Sequence, residues 1–177
     1  MSARARHRGF TLIELLIGTV LLALLLTSMA IATHASLMAY EENTESAALT
    51  QTTRVLLARM RREIRTAASV DHDAPSNQLV IIPPENGTGL EQIAYEYTVG
   101  GNTLYYHRTI DGQVDTQVVF HTASAVQLTA FNCQYDVAQD GQGVFYTRRA
   151  VVTLSLAIDN QIRTATCSAS PRRNQQY

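Results

Sequence analysis

Few residues here have the chemistry to act on anything, and the most telling is a carboxylate in an apolar setting. Glu14 is the only charged residue between Phe10 and Tyr40. An unpaired carboxylate near the start of a membrane helix is costly and normally implies a partner. The plainer reading is an interfacial residue that reaches the headgroups or stabilises the helix N-terminus. Glu14 belongs to the run Arg8-Gly9-Phe10-Thr11-Leu12-Ile13-Glu14-Leu15-Leu16, where a glycine ends a basic stub and an aromatic opens the apolar segment. Gly9 has no side chain, so a protease can bring the backbone close at that point. Cys133 and Cys167 are the only thiols. An even count outside the cytoplasm reads as one disulfide, and inside it as two buried thiols. Zinc is not expected, because no Cys-x-x-Cys occurs and His72, His107 and His121 lie apart. Asp71-His72-Asp73 and the pair Asp136 and Asp140 lack the alternate ligand spacing of a calcium loop and read as solvated turns. All 14 basic residues are arginine, which excludes a lysine Schiff base, a phosphate-loop lysine and a lysine general base. No nucleophile elbow, His-Glu-x-x-His, phosphate loop or dinucleotide fingerprint is present, and no cofactor is expected.

The scaffold that carries these residues can be read from the length and the hydropathy pattern. A chain of 177 residues holds one folded core. Its net charge of −1 is too small and too evenly split for a dedicated nucleic-acid binder. The ends are unequal: Arg4, Arg6 and Arg8 crowd residues 1–9, and residues 15–33 carry no charge and no proline. Nineteen such residues can cross a hydrocarbon core of roughly 30 Å as a helix. The basic stub places the N-terminus in the cytoplasm and everything after residue 40 outside. A cleaved signal peptide is the alternative, but the apolar run is long for one, and Ala30-Ile31-Ala32 is a poor cleavage site. A retained single-span anchor fits better.

Residues 40–69 contain no glycine or proline, and Leu49, Leu56, Met60 and Ile64 recur on one helical face. The pattern predicts one helix over 10 to about 69, its first half (10–38) in the membrane and its second (39–69) against a globular domain. Beyond Pro75 the period becomes two, with strands at 79–83, 93–99, 104–106, about 114–121, 125–137, 145–158 and 161–169. Gly100-Gly101 and Asp159-Asn160 read as hairpin turns. The expected fold is α+β, a long N-terminal helix on an antiparallel sheet (70–169) with one face buried, and a loose tail at 170–177. The tyrosines at 95, 97, 105 and 106 read as cross-strand packing. Topology and strand placement suggest a Cys133–Cys167 disulfide. Alternation puts Cys133 with Phe131, Tyr135 and Val137, but Cys167 opposite Ile162, so the bond needs a bulge or a shifted register in the last strand, or it sits on the outer face across neighbouring strands.

The motif at residues 8–16 closely resembles the start of the prepilin-like family, the type IV pilins and the pseudopilins of type II secretion. The resemblance implies that residues 1–9 are a cytoplasmic leader cut between Gly9 and Phe10 by a membrane prepilin peptidase. It further implies that Phe10 becomes N-methylated, and that Glu14 pairs with the N-terminal amine of a neighbouring subunit during assembly. The mature side chains would then carry a net −4. The implied partners are the peptidase, other major and minor (pseudo)pilins, and membrane lipid, with no small-molecule substrate. The segment 53–67, the strand Leu79-Val80-Ile81-Ile82, the Tyr-rich hairpin and Arg148-Arg149 before an alternating strand look like J-type minor pseudopilins and W-type minor pilins. Those subunits sit at or near the filament tip and prime assembly. Glu14 distinguishes the chain from K-type tip subunits, which lack it. Two other readings compete: a membrane-anchored periplasmic enzyme, and a pilin-like subunit that binds DNA through Arg54 to Arg65.

Overall fold

The computed structural model describes residues 10–85, 87–120, 126–159 and 161–172. A single helix, α1 (Leu12–Thr66), is followed by eight strands: β1 (Ser69–Val70), β2 (Gln78–Ile82), β3 (Leu90–Thr98), β4 (Thr103–Ile110), β5 (Gln113–Phe120), β6 (Gln127–Gln139), β7 (Phe145–Ile158) and β8 (Gln161–Ala169). The fold is α+β and consistent with a pilin-like arrangement. The helix ends at Thr66, slightly before the residue 69 that composition suggests, because Ala68 already donates its amide to the Ile82 carbonyl (2.9 Å) and Ser69 enters a sheet.

The chain divides into two compact units, Met1–Thr44 and Glu45–Tyr177. In the first, the apolar side chains face outward on every side: Phe10 and Leu12 are 82% exposed, and none of the large ones from Leu15 to Leu26 is less than 52% exposed. Helices that are apolar all round belong in lipid or inside a bundle. This one is long and apolar enough to cross a membrane. Its few hydroxyls are satisfied locally. Thr27, Ser28, Thr33 and Ser36 each donate to the carbonyl four residues back, at 2.7–2.9 Å, so none of these hydroxyls needs water.

In the second unit the helix turns amphipathic. Leu49, Thr53, Leu56, Leu57, Met60 and Ile64 are buried, and the Thr53 hydroxyl satisfies itself on the Leu49 carbonyl (2.6 Å). The apolar members of this stripe share one core with Leu79, Ile81, Tyr95, Leu104 and Tyr106 from β2–β4, and with Leu128, Phe131, Val152, Leu154 and Leu156 from β6 and β7. Alternation predicts which faces are buried. It does not predict pairing. The strands form two antiparallel sheets rather than one, ordered β1-β2-β3-β4-β5 and β6-β7-β8. They are joined where the Cys133 amide donates to the Ser76 carbonyl (2.7 Å), Tyr135 Oη to the Gln78 carbonyl (2.8 Å) and Thr147 Oγ1 to the Val70 carbonyl (2.7 Å).

Turn chemistry differs from the expectation at one hairpin. The Gly100-Gly101 connection spans four residues, and its left-handed residue is Asn102 (φ 45°), which lies within 3.2 Å of Tyr97 Oη. The tighter turn is Asp111-Gly112, with both residues at positive φ, the pattern of a two-residue hairpin. Asp159 also has φ 47°, and Asn160 lies outside the described residues, as do residues 173–177 of the expected tail.

Helix and sheet are bound by more than apolar contact. Tyr95 is fully buried, and its hydroxyl donates to Glu63 Oε2 (2.7 Å), while Arg59 Nε holds Glu63 Oε1 (3.2 Å). The Arg59 guanidinium also lies over the Tyr106 ring, 4.2 Å from its centroid, and the Tyr95 and Tyr106 rings meet cross-strand at 5.1 Å. Tyr95→Phe removes the hydroxyl and leaves a half-buried carboxylate one donor short. It should destabilise the second unit by about 1.5–3 kcal/mol, read as a lower melting temperature of the detergent-solubilised chain, whereas Arg54→Gln on the exposed helix face should leave it unchanged.

Candidate functional site at the helix N-terminus

The described part of the motif begins at Phe10, so Gly9 and the expected cleavage bond lie outside the described residues. Immediately after Phe10 the chain forms a capping box. Thr11 stands just before α1, its Oγ1 accepts the Glu14 amide (3.3 Å), and Glu14 Oε2 accepts both the Thr11 amide (3.0 Å) and the Thr11 hydroxyl (2.9 Å). The first turn leaves backbone donors without helical partners, and this exchange satisfies two of them. Thr11 is the site residue that a reading focused on glycine and glutamate misses. Its signal is the Thr-x-x-Glu spacing just before an apolar run. The box also fixes where the carboxylate stands, beside the exposed Phe10 and with all its described hydrogen bonds on one oxygen.

The cysteines are placed differently from the expectation. Both are buried and both are free. Cys133 on β6 and Cys167 on β8 each pair with Val152 on β7, so a whole strand separates them. Two strand spacings put their Cα atoms about 9–10 Å apart, beyond the roughly 7 Å a disulfide spans without backbone movement. The expected bond is therefore not formed. No bulge is needed in β8, because Ile162 is 69% exposed and Cys167 alternates inward with Ala169. Burial pushes the Cys133 thiol up to about 12, and raises Cys167, Tyr95 and Tyr135 as well.

The remaining candidates scatter. His107 Nδ1 lies 2.9 Å from Thr116 Oγ1, and its Nε2 is 3.4 Å from Glu96 Oε2, within the β3–β5 face. His72 faces Asp73 at 3.7 Å, and His121 is outside the described residues. Asp136 accepts from Arg148 (2.7 Å), with Arg149 at 3.9 Å, around a register shift in β6–β7 that leaves both arginines exposed. Among the described residues, no three His, Cys, Asp or Glu side chains gather to hold a metal ion. The helix arginines divide: Arg59 is engaged by Glu63 and the tyrosine rings, while Arg61, Arg62 and Arg65 lie outside that cluster.

Residues 4–30 match the prokaryotic N-terminal methylation motif. The match supports a type IV pilin-like or pseudopilin chain, a structural subunit whose apolar helix is consistent with membrane anchoring. Neither a curated protein nor a solved structure matches the chain.

The capping box and the buried thiols each predict a measurable response. Thr11→Ala should remove half of the capping box at a cost of about 1 kcal/mol, so the first-turn amides should exchange with deuterium roughly fivefold faster, with the second unit unaffected. The raised thiol and phenols stay protonated in the folded chain after their unfolded counterparts have ionised. The unfolded state then binds fewer protons, and stability should fall as pH climbs from about 9 toward 12. At pH 8 neither thiol should react with an alkylating reagent in the folded chain, and both should react in denaturant without reductant.

Proposed function

We propose that this chain is a minor pilin or pseudopilin subunit that a prepilin peptidase cuts between Gly9 and Phe10, leaving an N-methylated Phe10. The observation that carries the reading is the methylation motif at residues 4–30 running directly into a helix whose apolar side chains are exposed on every side. Such a helix is stored in a bilayer before assembly and can be buried among the helices of other subunits afterwards, so one surface serves both states. The basic leader keeps the N-terminus cytoplasmic, the anchor crosses the inner membrane once, and the second unit lies in the periplasm. Order of parts and the retained Glu14 favour a J-type pseudopilin or W-type pilin position, at or near the tip of the filament, where the subunit helps prime assembly.

Glu14 has a defined part in this scheme. Cleavage creates a charged amine at Phe10, and a carboxylate in a low-dielectric setting attracts such a group strongly only when hydrogen bonds accompany the pairing. The capping box holds Glu14 in place for a neighbour's amine.

Intact-mass measurement of membrane-extracted protein tests the processing: the expected mass lacks Met1–Gly9 and carries one added methyl group, and retention of the leader in cells with an active peptidase overturns the reading. Glu14→Gln should leave insertion and cleavage intact and impair filament priming, scored by secretion or piliation. Normal priming by that variant refutes the assembly role.

A further inference from the structure

The cleft side of α1 near its C-terminal end carries more positive charge than the fold can use. Arg61, Arg65 and Arg172 line two adjoining clefts, of about 350 and 430 Å³. Arg62 completes the first cleft and Arg149 the second. Cations near a helix C-terminus offset its dipole, but one or two suffice, and like charges held together in a concavity raise the local potential well above that of the surface. Two arginines of this unit close onto acids, Arg59 on Glu63 and Arg148 on Asp136, while Arg54, Arg108 and Arg163 stand singly outside the clefts. Among the described residues, Arg61, Arg62, Arg65 and Arg172 have no acidic partner, and Arg149 reaches only the Asp136 oxygen that Arg148 already occupies.

The composition of the clefts restricts what neutralises them. Beyond the guanidiniums, the second cleft supplies the hydroxyls of Ser168 and Ser170, the Thr66 hydroxyl in the first donates to the Arg62 and Glu63 carbonyls, and Ala58 and Ala169 are the apolar residues of the lining. A protein partner would need an apolar anchor at the centre of its footprint, and neither cleft is lined by a large apolar residue. A carboxylate carries one charge, so it would offset one guanidinium in five. Phosphate-type groups carry up to two, and their oxygens take the paired N–H donors of arginine bidentately. The clefts share three arginines, so one group in each would draw on a common set of donors. We propose that they form a single site for a free anion bearing two linked phosphate groups.

The test uses the full chain in nonionic detergent at fixed ionic strength, with binding followed by calorimetry. Pyrophosphate should bind one per chain and about tenfold more tightly than inorganic phosphate, while acetate should not saturate. Arg61→Gln with Arg65→Gln should weaken pyrophosphate by about tenfold per guanidinium removed. Arg172→Gln lies beyond the last strand and should weaken binding without lowering the ligand-free melting temperature, and Arg54→Gln should change nothing. The proposal is overturned if pyrophosphate, phosphate and acetate bind alike, if the Arg172 variant keeps wild-type affinity, or if polyglutamate binds more tightly than pyrophosphate.

Discussion

One helix has to be stable in two surroundings, and that requirement organises the whole sequence. Over its first half the helix carries apolar side chains on every side, and its hydroxyls bond back to its own carbonyls. From Leu49 onward its apolar side chains gather on one buried side, with Val55 the large exception left exposed. Nothing in backbone geometry marks the change, since the hydrogen-bond ladder of α1 runs from Leu12 to Thr66. Side-chain chemistry alone makes it: after Glu14 the next charge is Glu41, and the buried stripe begins at Leu49.

The second half of the helix is useful only because the sheets recognise it. Apolar burial supplies most of that energy, but it is non-directional and would tolerate a slide or a rotation. The Tyr95 hydroxyl, the Glu63 carboxylate and the Arg59 guanidinium set the register, because a half-buried carboxylate tolerates very few positions. The same logic governs the N-terminus, where Thr11 and Glu14 satisfy each other. In both places one glutamate is held by more than one hydrogen bond, and in both the chain uses it to locate the end of a helical segment.

Much of this was legible in the residues. The all-apolar first half of α1, its buried stripe, the strand faces and the motif around Glu14 all follow from local chemistry: composition, periods of 3.6 and 2, and a spacing of four or fewer residues. What was not legible depends on which strands become neighbours. Alternation places Cys133 and Cys167 on inward faces once Ile162 is seen to point out, yet nothing in either segment says that β7 runs between them. The division into two sheets is hidden for the same reason. Pairing partners are chosen by the total core, and the Ser76–Cys133 link that joins the sheets is 57 residues long in sequence. Gly100-Gly101 misled in another way: Asn can occupy the left-handed position nearly as well, and here Asn102 does so because Tyr97 is at hand to bond it.

The strand order, sequential in both sheets, sets how the second unit comes together in time. Every ladder joins strands adjacent in sequence, so each hairpin needs only a short loop to close, and such contacts form quickly. The hydrogen bonds between the two sheets reach further, and they involve β6 or β7: Cys133 to Ser76, Tyr135 to Gln78, Thr147 to Val70, and the Tyr97 hydroxyl near the Leu128 and Thr129 carbonyls. A chain emerging N-terminus first therefore has its helix and first meander in hand while the core is still open on one side. The arrival of β6 and β7 closes it.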